Sequence, residues 1–245
     1  MSFNIAIDVG NTFTKIGIYN YDSLIHIQKY QSLTVNNLED LFSKHNICNS
    51  IIANSGNYNH SIDAFLIKNT NHLKFNANTS IPITNLYASP KTLGKDRLSG
   101  IIGALSLTVE KTPIISIDTG TCITFNFLNE NKEYIGGSIS PGITMRLQAL
   151  PHFTAKLPLV DYNFSPVNLT GTNTKQSILS GVVNGILHEI DGMIDTYRNI
   201  YKKLTVYVTG GGCYFFENQL KNKIFADPNL VITGLNKIIN YNAAG

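Results

Sequence analysis

Cysteine is scarce in this chain and charge is thin: Cys48, Cys122 and Cys213 are the only thiols in 245 residues, and Asp, Glu, Lys and Arg make up 14%. The three cysteines lie far apart, odd in number and without a C-x-x-C pair, so neither a disulfide framework nor a zinc site is indicated. The longest apolar run, near Ile101 to Val109, is far short of the roughly 20 residues that cross a bilayer, and no signal peptide is expected at the start. Net charge is +3, but the lysines are scattered. Without a basic stripe interleaved with aromatics, nucleic acid is not an expected partner. The six histidines (His26, His45, His60, His72, His152, His188) show no metal-ligand spacing, and His188, beside core positions of a helix, reads as structural. There is no Walker loop, no G-x-G-x-x-G turn, no Ser-His-Asp set and no reactive-cysteine context. These absences leave a soluble enzyme of a reducing compartment, the cytoplasm, with no membrane partner.

What is present begins with Ile7-Asp8-Val9-Gly10-Asn11-Thr12-Phe13-Thr14-Lys15-Ile16-Gly17-Ile18-Tyr19, an apolar strand, a tight turn and an alternating strand. Gly10 is expected to take a positive φ and to let backbone come close to a bound group. Asn11 and Thr12 offer polar groups at the bend, Lys15 adds a positive charge, and Asp8 could hold a hydrated Mg²⁺. The set suits a nucleoside triphosphate's phosphates. Ile115-Ser116-Ile117-Asp118-Thr119-Gly120-Thr121-Cys122-Ile123-Thr124-Phe125-Asn126-Phe127 repeats the pattern about half a chain later. Asp-x-Gly alone is a common turn signal and would fit two unrelated hairpins. Here each copy follows a buried-strand run and precedes period-two alternation, which favours a duplicated α/β unit. The expected fold is two domains, 1–110 and 111–245, each a mixed sheet flanked by helices, facing each other across a cleft.

Between and after the hairpins, Asn36-Asn37-Leu38-Glu39 predicts a capped helix through His45, and Ser50-Ile51-Ile52-Ala53 a strand parallel to the first. A helix around Ile62 to Ile67 and a short strand at Leu73-Lys74-Phe75 follow. Tyr87-Ala88-Ser89-Pro90-Lys91-Thr92-Leu93-Gly94-Lys95-Asp96-Arg97 is a loop that opens a helix running through Leu107. Asp96 in the first turn fits the helix dipole as a plain helix-start residue. Arg97 opposes that dipole, and an anion gripped by its guanidinium fork would justify it. Tyr134 to Gly142 is a strand ending in a glycine-rich turn, with Pro141 starting a helix that carries Met145, Leu147 and Leu150. Gly171-Thr172-Asn173-Thr174 caps the longest helix, apolar from Ile178 to Tyr197 at helical spacing. Its apolar positions outnumber one narrow stripe and include Gly181 and Gly185, so part of it is expected to face a second subunit. A strand from Leu204 to Val208 ends in Thr209-Gly210-Gly211-Gly212, bare backbone suited to a base or ribose. A last strand, Leu230-Val231-Ile232, and a helix from Leu235 to Tyr241 close the chain.

Two Asp-x-Gly hairpins and a late Thr-Gly-Gly resemble the acetate and sugar kinase, heat-shock chaperone and actin superfamily, whose domains are actin-like (ribonuclease H-like). Within it the chain closely resembles the type III pantothenate kinases, nearly end to end. The likeness is carried by Asp8-Val9-Gly10-Asn11-Thr12, the Gly94-Lys95-Asp96-Arg97 loop, Asp118-Thr119-Gly120-Thr121, Gly136 to Gly142, Thr154-Ala155-Lys156-Leu157-Pro158, and Asn173-Thr174 with Gly181. The Gly-x-Asp-Arg loop between the hairpins is the specific element. The resemblance implies ATP-dependent phosphorylation of pantothenate at the start of coenzyme A synthesis. It implies that Asp8, Val9, Gly10, Asn11, Thr12, Phe13, Thr14 and Lys15 hold the ATP phosphates and Mg²⁺, with Thr121, Gly210 and Gly211 completing the nucleotide site. Asp118 would bind a monovalent cation, K⁺ or NH₄⁺. Tyr87, Gly94, Lys95, Arg97 and Thr174 would line the pantothenate pocket, Asp96 would be the base, and the enzyme would be a homodimer with Thr174 acting in the partner's site. Asn126, where relatives often carry an acid, Cys122, and Ala53-Asn54-Ser55-Gly56 depart from the pattern. A sugar or acetate kinase and a non-catalytic regulatory homologue are the competing readings.

Overall fold

The computed structural model describes residues 2–56 and 59–243. The chain divides into two compact units, one of residues 1–109, 131–136 and 229–245, the other of residues 110–130 and 137–228. The first carries β1 (Phe3–Val9), β2 (Thr14–Asn20), β3 (Ser23–Tyr30), α1 (Val35–Lys44), β4 (Ile47–Asn54), α2 (Ser61–Asn69), β5 (Asn71–Leu73), β6 (Thr84–Asn85) and α3 (Lys95–Leu107). The second carries β7 (Ile114–Thr119), β8 (Cys122–Leu128), most of β9 (Glu133–Pro141), α4 (Ile143–Phe153), α5 (Thr174–Ile200), β10 (Thr205–Thr209), α6 (Cys213–Gln219) and β11 (Phe225–Ala226). The last helix, α7 (Leu230–Ala243), returns to the first unit.

In the first unit the sheet order is β3-β2-β1-β4-β5, with β1 antiparallel to β2 and parallel to β4. Ile5, Ile7 and Val9 on one face of β1 pack with Leu38 and Leu41 of α1 and Ile62 and Leu66 of α2. On the other face the small pair Ala6 and Gly17 stand opposite each other in register. A Cβ on Gly17 would lie 3.0 Å from Cδ1 of Ile232, so the missing side chain is what seats α7. The middle and last part of α7 are keyed by amides: Asn4 Nδ2 donates to Asn236 Oδ1 (2.9 Å) and to Asn240 Oδ1 (2.8 Å). In the second unit the order β11-β10-β7-β8-β9 reproduces the first sheet's order strand for strand. Ile115, Ile117, Ile123 and Phe125 there pack under Ile178, Val182, Ile186 and Ile190 of α5.

Several local expectations are corrected. Leu230-Val231-Ile232 is not a strand but the first turn of α7; the run is continuously apolar because that helix is buried nearly all round. The cap of α1 is Thr34 with Asn37, not Asn36 with Glu39: Thr34 N–H donates to Asn37 Oδ1 at 3.0 Å, and Asn37 N–H to Thr34 Oγ1 at 3.4 Å. Pro141 ends β9, and α4 starts after Gly142. The short strand near Leu73 covers Asn71–Leu73, one turn earlier than the apolar pair at Leu73 and Phe75 suggests.

Helix α3 is buried from Arg97 to Ala104, and it meets α7 backbone to backbone. A Cβ on Gly103 would lie 2.1 Å from the Leu230 carbonyl oxygen, and one on Gly234 1.8 Å from that of Ser99. Gly234→Val is therefore expected to force the helices apart, and overpacking of this kind costs about 1–3 kcal/mol or more. Thermal unfolding should show a midpoint lower by several degrees, at about 2–4 °C per kcal/mol for a chain of this size. An unchanged midpoint would mean that the helices do not meet at this point.

Candidate active site

The first hairpin closes through Gly10 N–H, which donates to the Phe13 carbonyl oxygen at 3.1 Å. The end of β4 braces it: Ser55 N–H and Oγ both donate to the Val9 carbonyl, at 2.9 and 3.2 Å. Gly56 lies so near that a Cβ there would be 2.5 Å from the Gly10 oxygen. Gly10 itself does not have the expected positive φ, which among the described glycines belongs to Gly136, Gly137 and Gly210. Its requirement is close approach, and Gly56, part of the stretch that departs from the family pattern, supplies the other half. Asn11, Thr12 and Phe13 are exposed at the tip while Thr14 is buried. Asp8 and Lys15 stand directly opposite in register, a carboxylate and an ammonium on one face at the end of the sheet.

In the second hairpin Asp118 occupies the same position, but Thr124 stands opposite it. The Asp118 carboxylate is bordered by bare backbone: a Cβ on Gly120 would lie 3.1 Å from Oδ1, and one on Gly210 2.8 Å from it. Gly210 holds φ +95°, which a side chain would disfavour. Thr119 Oγ1 donates to the Thr209 carbonyl at 2.8 Å and ties β7 to the glycine run. Gly211 faces open space, whereas Gly212 is covered by the Phe164 ring. Thr121 is exposed at the tip. Asn126 is buried opposite Ser116, and its Nδ2 donates to Thr124 Oγ1 at 3.3 Å. The amide thus lies two residues along the same polar face as Asp118.

The third element is the start of α3. Gly94 is its cap residue, and Asp96 folds back over it: Asp96 Oδ1 accepts from Arg97 N–H at 2.9 Å, and a Cβ on Gly94 would lie 2.4 Å from that oxygen. Arg97 is 8% exposed, unusual for a guanidinium, and its Cζ lies 5.8 Å from the centre of the Tyr87 ring. Tyr87 in turn packs on the buried Tyr134, with ring centres 6.1 Å apart. Burial pushes the Tyr134 hydroxyl up to about 12, against a smaller opposing pull from Arg97, so the ring is a neutral wall at any ordinary pH. Gly136, at φ +141°, leaves room for Tyr87: a Cβ there would lie 3.3 Å from the ring. Tyr134 was missed because its alternation reads as an ordinary core strand.

Asp8 to Lys15, Tyr87 and Gly94 to Arg97 thus lie in the first unit; Asp118, Thr121, Thr174, Gly210 and Gly211 lie in the second. Thr174 is exposed at the start of α5, next to the cap Asn173, whose Oδ1 accepts from Gln176 N–H at 3.0 Å. Of the apolar positions of α5, Ile178, Val182, Ile186, Ile190 and Ile194 lie in its own core, and Leu179, Leu187, Met193 and Tyr197 pack against it partly buried. Its Gly181, Gly185 and Gly192 face open space. Among the described residues no group of three or more His, Cys, Asp or Glu could hold a metal ion, and no helix is long and apolar enough to cross a membrane.

Solved structures with this arrangement include a Campylobacter jejuni protein assigned to the Baf family of transcriptional activators, with TM-score 0.62 and 22% identity over 98% of this chain and all of that one. The activator of 2-hydroxyisocaproyl-CoA dehydratase from Clostridium difficile matches at TM-score 0.55 and 13% identity, over 99% and 96% of the two chains. Two mixed sheets of one strand order, each opening on an Asp-x-Gly hairpin, are the fold these structures share, the actin-like α/β plan. The family model for type III pantothenate kinase matches residues 4–196. A type III pantothenate kinase from Bacteroides fragilis is 38% identical over 240 residues, covering 98% of both chains, and one from Cytophaga hutchinsonii is 39% identical over 246 residues, covering 98% of this chain and 99% of its own. The chain belongs to the type III pantothenate kinase family.

Proposed function

We infer that this chain transfers the γ-phosphoryl group of ATP to the primary hydroxyl of pantothenate, the reaction for which its family is named and the opening step of coenzyme A biosynthesis. The observation that carries the reading is the start of α3, where a buried guanidinium and a half-exposed carboxylate adjoin in one helical turn. Pantothenate has a carboxylate at one end and an alcohol at the other. Arg97, stacked on Tyr87, grips the carboxylate, with Gly94 and Lys95 beside it, and Thr174 serves the site of the partner subunit. Asp96 accepts the hydroxyl proton. A carboxylate is too weak a base to deprotonate an alcohol fully, and need not: phosphoryl transfer is loose, so the proton leaves late and Asp96 chiefly orients the nucleophile.

Asp8 to Lys15 hold the ATP phosphates, Thr121 adds a hydroxyl to them, and Gly210 and Gly211 underlie the nucleoside. Asp8 is suited to Mg²⁺, which takes one or two protein carboxylates and completes its shell with phosphate oxygens and water. When bound, that ion neutralises charge on the transferring phosphates. Asp118, bordered by two glycines, suits a monovalent cation, K⁺ or NH₄⁺, with neutral Thr124 across the strand. The protein works as a homodimer through the open glycine face of α5, and its free thiols fit the cytoplasm.

A coupled ATPase assay with and without pantothenate tests the reaction, and ATP turnover that ignores pantothenate would sink it. Asp96→Asn keeps the backbone hydrogen bond to Arg97 but loses the proton acceptor, so turnover is expected to fall by about 10²–10⁴ while ATP still binds. Activity within a few-fold of the parent would make Asp96 a helix-start residue only. The parent should need K⁺ or NH₄⁺ and idle in Na⁺, and Asp118→Asn should abolish that response; equal rates in all three salts would remove the cation from Asp118. For the dimer, light scattering should report two copies, and Gly185→Leu should yield monomers with a weakened response to pantothenate. A monomeric, active parent at assay dilution would exclude the assembly.

A further inference from the structure

One salt-bridged cluster lies outside the residues assigned so far. Glu189, midway along α5, receives two donors on its two oxygens: Ser140 Oγ–H at Oε1 and Arg146 Nη2–H at Oε2. Arg146, on α4, also donates from Nε to the Pro141 carbonyl oxygen at 2.8 Å. The last two residues of β9 are therefore tethered to two helices by one carboxylate and one guanidinium. The next residue, Gly142, is where this matters. Its N–H donates to the Thr121 carbonyl oxygen at 3.0 Å, and a Cβ on it would lie 2.4 Å from the Gly120 oxygen and 2.5 Å from that of Thr121. The tip of the second hairpin thus rests on the residue that the cluster holds still, and that contact tolerates no displacement inward.

We propose that Arg146 and Glu189 are a positioning pair for the phosphate-binding tip of the second hairpin, setting where Gly120 and Thr121 stand through Ser140, Pro141 and Gly142. The proposal rests on the reading of Thr121 as a phosphate contact. Neither side chain is assigned a contact with ATP; they act through the backbone. A helix-capping or purely stabilising role for the pair would lower the melting point and leave the nucleotide site as it was. A positioning role shows selectively in ATP affinity. The geometry also separates Lys from Arg at position 146, because an ammonium can meet Glu189 but cannot at once supply the Nε donor to Pro141.

The test is titration calorimetry of MgATP binding to the full chain, with steady-state kinetics for both substrates and thermal unfolding alongside. Arg146→Met and Glu189→Gln are each expected to weaken ATP binding about tenfold, the scale of one lost charge-assisted hydrogen bond, while KM for pantothenate stays within twofold. Arg146→Lys should fall between the parent and the Met variant. Ser140→Ala, which removes one arm and leaves the ion pair, covers the case in which the Met variant does not fold, and should weaken ATP binding about two- to threefold. ATP affinity within twofold of the parent in a folded Met variant, or equal losses for both substrates together with the melting point, would overturn the proposal. A parent that binds ATP but leaves pantothenate unphosphorylated would sink the substrate reading while leaving this test intact; a parent that fails to bind ATP would sink both.

Discussion

The backbone contact between α3 and α7 at Gly103 and Gly234 is the constraint on which the first unit depends. No side chain separates the helices there, so neither can slide or rotate past the other without its carbonyls colliding. Helix α7 is in turn keyed to β1, both by Asn4 to Asn236 and by the space left at Ala6 and Gly17. Asn236 passes the constraint on, donating from Nδ2 to the Tyr21 carbonyl at 2.7 Å, where the chain turns at φ +52°. One strand thereby positions two pieces of chemistry. Its own end carries Asp8, and through two helices it fixes the turn that carries Asp96 and Arg97.

Duplication gives each unit the same sheet order, yet the two hairpins are electrically different. In the first, Asp8 is paired across the strands with Lys15, so the local charge is balanced and the exposed amides and hydroxyl of the tip can face an anion. In the second, Asp118 has Thr124 opposite in register, and Gly120 and Gly210 approach its carboxylate. A carboxylate in that setting favours a cation over a phosphate. On the proposed reading, one cross-strand residue divides the work between two copies of one device, and the buried Asn126 lies two residues along the same face as Asp118.

Much of this was readable from the residues. The Asp-x-Gly repeat fixed two like sheets because alternation and buried runs are local signals, and Gly94-Lys95-Asp96-Arg97 marked the start of α3 through the glycine and the acid. The contacts that brace those motifs were not readable. Gly56 against Gly10, Gly234 against Ser99 and Gly142 against Thr121 are close approaches between segments distant in sequence, and an isolated glycine states only that something is near. The same limit explains α7. Its β-branched start reads as a strand until the small residues beneath it, far away in β1 and β2, are known to receive a helix, and with it the end of the chain joins the first unit.

On the proposed reading, Arg97 makes an acidic substrate a better fit to the start of α3 than a basic or neutral one. A buried guanidinium in the first turn of a helix is opposed by the dipole and by desolvation, a burden of several kcal/mol. Stacking on Tyr87 lowers the cost, and a planar, weakly hydrated guanidinium accepts such a site where the ammonium of lysine would not. Tyr134 behind the ring stays neutral and so adds no charge of its own. Asp96 stands on the other side of the turn, half-exposed, its carboxylate already oriented by one backbone N–H. A ligand with an anion at one end and an uncharged hydroxyl at the other satisfies both residues in only one direction. Reversed, it would set two carboxylates together and leave the guanidinium facing an alcohol, so in the proposed mechanism the pair sets the orientation of the molecule as well as its class.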